Sequence, residues 1–139
     1  MLEFRSINAD DFEKFNKYRM LDKTNASEGA FATMFIWNRY YNLEVAENGE
    51  FLFFRFNIKN KAPSYFFPIG NGNLDKAIDE LSSHASSKGE KLAFRLVSRE
   101  NAGKLKQISG KCFDFTDDRD CFDYMYLTEK MISLSGKKL

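Results

Sequence analysis

The stretch from Tyr65 to Leu74 most constrains the fold, because its pattern is typical of a strand that ends in a glycine turn and continues into a helix. Apolar side chains alternate on both faces from Tyr65 to Ile69, so this strand is expected inside a sheet. Pro68 has no N–H to donate to a neighbouring strand. It therefore predicts a bulge, or a place where the neighbouring strand has drawn away.

The turn that follows is a candidate ligand site. Its residues are Ile69, Gly70, Asn71, Gly72 and Asn73. The two glycines permit positive φ, and Asn73 is a good N-cap for a helix whose first N–H groups and positive dipole end point outward. An anionic or carbonyl-bearing ligand could bind there. The alternative is a tight turn with a cap and no ligand.

Composition predicts one domain that spans residues 1–139, since 43% of the residues are hydrophobic and 16% aromatic. The 21 basic residues nearly balance the 20 acidic ones, so the chain lacks the field that nucleic acid or an anionic membrane requires. No direct nucleic acid binding is expected. No apolar run reaches the roughly 18 residues of a transmembrane helix. With no signal-peptide pattern at Met1–Phe4 and only Cys112 and Cys121, expected as buried free thiols, the chain is predicted to be cytoplasmic.

A helix predicted over Glu28–Tyr41 is apolar on two faces. Phe31, Met34 and Phe35 mark one face, and Ile36, Trp37 and Tyr40 make the other apolar as well. Either this helix lies under other elements of the fold, or its second face meets a ligand or a partner.

Local signals place the other elements. Asn48-Gly49 between apolar runs predicts a hairpin, and Gly89 and Gly110 are helix stops. The predicted strands are Leu2–Ile7, Leu43–Ala46, Phe51–Ile58, Tyr65–Ile69, Leu92–Val97, Lys111–Phe115 and Cys121–Tyr126; the other predicted helices follow Asn8 or Asp10, run from Asn73 to Lys88 and from Ser98 to Ile108, and begin at Thr128.

No metal site is predicted. The single histidine, His84, has no second histidine or nearby cysteine and is expected at the border of a surface helix. The acidic run from Asp114 to Asp123 lacks the central glycine and terminal glutamate of a calcium loop, so a solvated hairpin turn is expected.

The resulting order, βααβββαβαββ, describes an α+β fold with a mixed sheet flanked by helices, and it is similar to the GNAT (acyl-CoA N-acyltransferase-like) fold. In that fold the fourth and fifth strands splay apart and the acyl donor enters the gap; Pro68 falls where the splay is expected. The GNAT pyrophosphate turn begins with a glutamine or arginine, which Pro68–Asn73 lacks. Coenzyme A is therefore expected to bind weakly or not at all.

Four motifs resemble the first half of an uncharacterised bacterial family related to the C-terminal domain of phosphatidylglycerol lysyltransferase. They are Phe31–Trp37, Phe67–Gly70, Asp118–Asp120 with Asp123–Tyr126, and Leu134–Lys138. The resemblance implies two GNAT-like folds in tandem, with this chain as the first and the second as its partner. Relatives with known activity move an aminoacyl group from tRNA to a lipid head group, and their catalytic positions are expected mainly in the second half.

Two functional classes follow from this resemblance. In one, the domain contributes to an acyl- or aminoacyltransferase but is inactive alone, and Tyr124 or Tyr126 is a possible acid near the splayed strands. In the other, it is a non-catalytic acetyltransferase-like module that packs against a partner domain. In either class, self-association is expected through the helix from Phe31 to Tyr41.

Overall fold

The structure is a computed structural model that describes residues 2–21 and 30–133. An open antiparallel sheet is flanked by helices, which confirms the predicted α+β class. The strands are β1 (Arg5–Ser6), β2 (Leu43–Glu47), β3 (Phe51–Phe56), β4 (Ser64–Tyr65) and β5 (Ile69–Gly70); the helices are α1 (Asp11–Arg19), α2 (Phe31–Ile36), α3 (Asn38–Tyr41), α4 (Leu74–Ser87), α5 (Arg99–Leu105) and α6 (Thr128–Ser133).

The sheet is built around β3, whose six residues are all buried. Its strand order is β1-β2-β3-β4, and β5 also pairs with β3. The predicted hairpin is confirmed: β2 and β3 pair antiparallel from Leu43 opposite Phe56 to Glu47 opposite Leu52. Asn48 closes its turn by accepting the N–H of Phe51 at 2.8 Å.

The predicted strand Tyr65–Ile69 is split in two by a bulge. Tyr65 lies opposite Arg55, whereas Gly70 lies opposite Phe51. Five residue steps on one strand therefore match four on the other, so one extra residue lies between the two pairs. The bulge includes Pro68, as its missing N–H predicted.

Each face of the sheet carries its own apolar core. One core lies under α1 and α2, and the other under α4 and α5. Phe15, Tyr18, Phe31 and Met34 belong to the first, and the stripe of α4 belongs to the second: Ala77, Ile78, Leu81 and Ala85. Asn73 caps α4 by accepting the N–H of Lys76 at 3.0 Å, and Ser98 caps α5 by accepting that of Asn101 at 3.2 Å.

The helix predicted over Glu28–Tyr41 is two short helices, with a break at Trp37; residues 28 and 29 lie outside the described ranges. Its first face is buried at Phe31 and Met34, but the second is open to solvent: Ile36 is 74% exposed and Trp37 54%. The interpretation that both faces lie under other elements of this fold is therefore wrong for the described residues.

The element order departs from the prediction at the C-terminal side. Leu92–Val97 makes a single bridge, in which Phe94 pairs with Tyr65 in parallel. Residues 111–115 and 122–126 are in no strand, and a 3-10 turn occupies Arg119–Cys121. The thiols predicted to be buried are exposed at Cys112 and partly exposed at Cys121. Strand propensity failed here because the described part of the chain supplies no neighbouring strand for these residues.

Candidate functional site

The predicted ligand turn, residues 69–73, connects β5 to α4 and lies against the β2–β3 hairpin. Gly70 has a φ of +151°. A Cβ atom on Gly70 would lie 2.2 Å from the carbonyl oxygen of Glu50 and 3.0 Å from the Cα of Phe51. Both the dihedral angle and the backbone contact therefore require glycine.

Glu50 contacts this turn through both its backbone and its side chain. Its carbonyl oxygen accepts the N–H of Asn71 at 3.2 Å, and its carboxylate oxygen Oε2 accepts the N–H of Asn73 at 3.4 Å. The same oxygen lies 2.4 Å from where a Cβ on Gly72 would be. The carboxylate of Glu50 thus lies at the N-terminus of α4, where an anion is favoured by the helix dipole.

An anionic ligand would compete with that carboxylate. To bind, the ligand would have to displace the Glu50 side chain from the turn, or bind beside it in spite of the repulsion between the two negative charges. Glu50 is exposed, so its side chain has solvent to move into. Ligand binding by residues 69–73 stays a prediction, and Glu50 is the residue that would control it.

A gap begins beside the bulge. Tyr65 pairs on its other side with the chain at Phe94: its N–H donates to Ala93 at 2.8 Å, and its carbonyl oxygen accepts from Arg95 at 2.9 Å. Among the residues that the structure describes, no further pairing joins residues 66–70 to residues 96–97. The neighbouring segment therefore leaves the sheet near Leu96, which has a positive φ of 56°.

The predicted acids, Tyr124 and Tyr126, lie far out in solvent. They are 87% and 70% exposed and belong to no strand. In the part of the chain that the structure describes, neither tyrosine is in a strand that pairs beside the turn at residues 69–73. Their catalytic role stays a prediction.

A buried ionic network lies on the α4 face of the sheet, centred on Arg55. The guanidinium donates to Glu44 and to Glu90, each at 2.6 Å, and Asn57 donates to Glu44 at 2.9 Å. Burial lowers the pKa of Arg55, but the hydrogen bonds and charges of the two glutamates outweigh it and raise the pKa. For Glu44, burial raises the pKa, and hydrogen bonds from Asn57 and Arg55 bring it below its ordinary value.

Tyr65 and His84 extend this network inward. Their rings are perpendicular, 6.3 Å apart between centroids. Burial raises the pKa of Tyr65. Burial also lowers the pKa of His84, and the charges of Lys88 and Arg55 lower it further. Five buried polar atoms here have no partner in the described part of the chain: Arg55 Nε, Ser64 Oγ, Tyr65 Oη, His84 Nε2 and Glu90 Oε2.

Two of these placements were not anticipated. His84 is only 5% exposed, so its predicted position at the border of a surface helix is wrong; Phe4 packs on its ring at 4.6 Å between centroids. Glu50 was not identified as part of the turn. The one signal for the ionic network was Arg55 in an otherwise apolar strand, which the hairpin register places opposite Glu44.

An open depression of about 300 Å³ lies beside β1 and β2. Its basic side chains are already paired: Arg5 with Asp11 at 2.9 Å, and Lys14 with Glu47 at 2.5 Å. Residues 2–21 and 30–133 contain no group of three or more histidine, cysteine, aspartate or glutamate side chains placed to hold a metal ion. In those ranges no helix has the length and apolarity to cross a bilayer.

Comparison with known proteins gives two matches. The family model described as "Phosphatidylglycerol lysyltransferase, C-terminal" matches residues 19–139. A solved structure, "Crystal Structure of Conserved Protein of Unknown Function from Bacteroides thetaiotaomicron VPI-5482", is 26% identical with a TM-score of 0.89. That match covers 99% of this chain and 46% of the Bacteroides chain, so this chain spans about half the length of that relative. No curated protein matches the chain.

Proposed function

Because the chain belongs to the family of the phosphatidylglycerol lysyltransferase C-terminal domain, we propose that it is a GNAT-like half of an acyl- or aminoacyltransferase, inactive without a second half. The observation that carries this proposal is the family match over residues 19–139. The bulge at Pro68 and the gap beside Tyr65 support the GNAT-like part, since a gap between the fourth and fifth strands is the expected place for an acyl donor.

The proposal that this chain is inactive without a second half is supported by the absence of an assembled catalytic site among the described residues. The turn at residues 69–73 is covered by Glu50, and Tyr124 and Tyr126 lie in solvent. A transferase needs an acid or base within hydrogen-bond reach of the reacting groups. The chain also spans only 46% of its structural relative, which leaves room for the chemistry in a second half.

The alternative is a non-catalytic module that packs on a partner domain. It is favoured by the large apolar side chains that the described part of the chain exposes, among them Trp37 at 54% and Tyr126 at 70%. In both versions the protein is proposed to work in the cytoplasm, with coenzyme A a poor ligand of this half.

The experiment compares the 139-residue chain with the product of the complete reading frame. Each is incubated with charged lysyl-tRNA and phosphatidylglycerol vesicles, and in parallel with acetyl-coenzyme A and an amine acceptor. Transfer of labelled lysine by the longer product alone supports the proposal. If the 139-residue chain transfers lysine at a similar rate, the proposal that it is inactive without a second half is wrong. A folded longer product without either activity favours the non-catalytic module.

A further inference from the structure

The part of the chain before α6 exposes an unusual density of large apolar side chains. We call residues 122–127 the C-terminal apolar segment. Five of its six residues are large, apolar and well exposed: Phe122 55%, Tyr124 87%, Met125 75%, Tyr126 70% and Leu127 63%. With side chains of about 150 to 250 Å² each, they expose roughly 700 Å² together. Alternate side chains of an extended segment face opposite ways, so this area is divided between two faces, and the aromatic face alone is as large as the roughly 300 to 600 Å² of the largest patch on a typical monomer.

The segment has the properties of a strand without a sheet. Phe122 is extended, with φ −81° and ψ 128°, and Asp123 is the only charged residue of the segment. Aromatic residues at 122, 124 and 126 alternate with non-aromatic ones at 123, 125 and 127, which is the period of a strand with two distinct faces. Yet within residues 2–21 and 30–133 it pairs with no strand.

We propose that the C-terminal apolar segment is a strand in the sheet of the second half, whose open edge it completes by β-augmentation. This inference rests on the proposed function, which supplies that second half. In such a strand Phe122, Tyr124 and Tyr126 share one face. Backbone hydrogen bonds between the strands provide the affinity, and the alternating side chains fix the register of the segment against its neighbouring strand.

The length of the structural relative and the position of the segment in the chain both indicate that a second half is its pairing partner. The structural relative is about twice as long as this chain, and α6 follows the apolar segment directly, so the chain leads from it toward residues 134–139. α6 continues the apolar surface with Met131 at 55% and Ile132 at 78% exposure. An interface between two halves of one chain buries roughly 600 to 1,500 Å², a range that the segment alone enters.

Hydrogen exchange tests the strand directly. The amides of residues 123–127 are measured in the 139-residue chain and in the product of the complete reading frame. We expect exchange about 100-fold slower in the longer product, since a strand inside a sheet opens only by local unfolding. Equal, fast exchange in both proteins overturns the proposal, as does a reading frame that ends at Leu139.

Two substitutions distinguish backbone strand pairing from non-specific apolar association. Met125→Pro blocks backbone pairing and is expected to abolish the protection while leaving the unfolding midpoint of the 139-residue chain unchanged. Met20→Asp, at an apolar side chain outside the segment that is 85% exposed, is the control and should leave protection intact. Protection retained in Met125→Pro overturns the proposal. Because the readout is exchange, a longer product that lacks transferase activity but protects these amides removes only the enzymatic part of the proposed function, and the pairing with a second half stands.

Discussion

The carboxylate of Glu50 lies against Gly72, with Oε2 at 2.4 Å from where a Cβ on that glycine would be. The residue after a hairpin turn thereby covers the N-terminal end of α4, and it does so because β5 pairs with the first residues of β3. A carboxylate of the protein takes the place that the helix terminus offers to an external anion. Anion binding and the cost of altering each glycine of the turn should both depend on this contact.

The first prediction concerns anion binding. Coenzyme A is expected to bind the 139-residue chain weakly or not at all, and Glu50→Ala is expected to strengthen binding of coenzyme A or pyrophosphate about 5-fold, since a nearby charge at a helix terminus is worth about 1 kcal/mol. Titration calorimetry measures both. Glu13→Ala, a change at an exposed residue of α1, is the control. A low-micromolar dissociation constant for the unmodified chain, or no difference between the two variants, would contradict Glu50 as the controlling residue.

The second compares two glycines of the turn. Gly70→Ala places a methyl group 2.2 Å from a backbone oxygen and is expected to lower the free energy of unfolding by about 3 kcal/mol. Gly72→Ala meets the Glu50 side chain at 2.4 Å from Oε2 and at 2.8 Å from Cβ. The carboxylate can move to solvent, whereas Cβ moves only with the backbone, so we expect a smaller loss of about 1 to 2 kcal/mol. Urea denaturation measures the free energy of unfolding of both variants and tests whether the two losses differ. Equal losses would show that the carboxylate is held as rigidly as the backbone.

The third concerns the ionic network. Arg55→Met leaves Glu44 and Glu90 without their cation, and we expect a loss of about 2 to 3 kcal/mol in unfolding free energy. This loss lies below that for a fully buried pair because the Glu44 side chain keeps 30% exposure and Glu90 20%. Lys104→Met removes an exposed pair with Glu100 and one hydrogen bond to Asn101, and should cost about 1 kcal/mol or less. Similar losses in the two variants would show that Arg55 contributes no more than a surface ion pair.

The fourth concerns pH. The pKa of His84 is lowered in the folded state by burial, so the unfolded chain binds this proton more readily. Stability is therefore full above pH 6.5 and falls as the pH drops below the unfolded pKa of about 6.5. Urea unfolding between pH 7.5 and 5.5 measures the slope, above the range where the lowered pKa values of Asp11 and Glu44 matter.

His84 is the only histidine, so His84→Gln provides the matched control for this slope. The variant should be less stable at pH 7.5 but nearly independent of pH over the interval. Of the groups that face the ring, Arg55 stays charged because its glutamate partners raise its pKa, and burial raises the pKa of Tyr65 above its ordinary value. An unchanged slope in the variant would assign the pH dependence to other groups.

The elements predicted correctly from sequence are those fixed by neighbouring residues. The β2–β3 hairpin follows from Asn48-Gly49, α4 from its cap at Asn73 and its apolar stripe, and the bulge from Pro68. Each signal acts over a few residues, and no distant partner has to be known.

The incorrect predictions depended on distant contacts. His84 is buried because Phe4, far away in the chain, packs on its ring. Glu50 meets the glycine turn only through the pairing of β5 with β3. Residues 122–126 have strand propensity, but a strand requires a neighbour, which the described part of the chain does not supply.

The last prediction concerns the surface of α2 and α3, which exposes Phe35 by 41%, Ile36 by 74%, Trp37 by 54% and Tyr40 by 55%. These four side chains expose roughly 400 to 500 Å². A symmetric pair of copies would bury about 900 Å², below the roughly 1,200 Å² of a stable complex, so we expect weak self-association in the range of about 0.1 to 1 mM. Light scattering over a concentration series measures it.

Substitution locates the contact within that surface. Trp37→Ser is expected to weaken association about 10-fold or more, because large aromatic side chains dominate small interfaces. Met20→Ser, at a residue 85% exposed outside this surface, should leave it unchanged. Met125→Ser tests the C-terminal apolar segment as the competing contact. Since Trp37 is the only tryptophan, its emission should shift to shorter wavelength as copies associate. An unmodified chain that stays monomeric at millimolar concentration, or a Trp37→Ser variant that associates equally well, excludes the α2–α3 surface as the contact between copies.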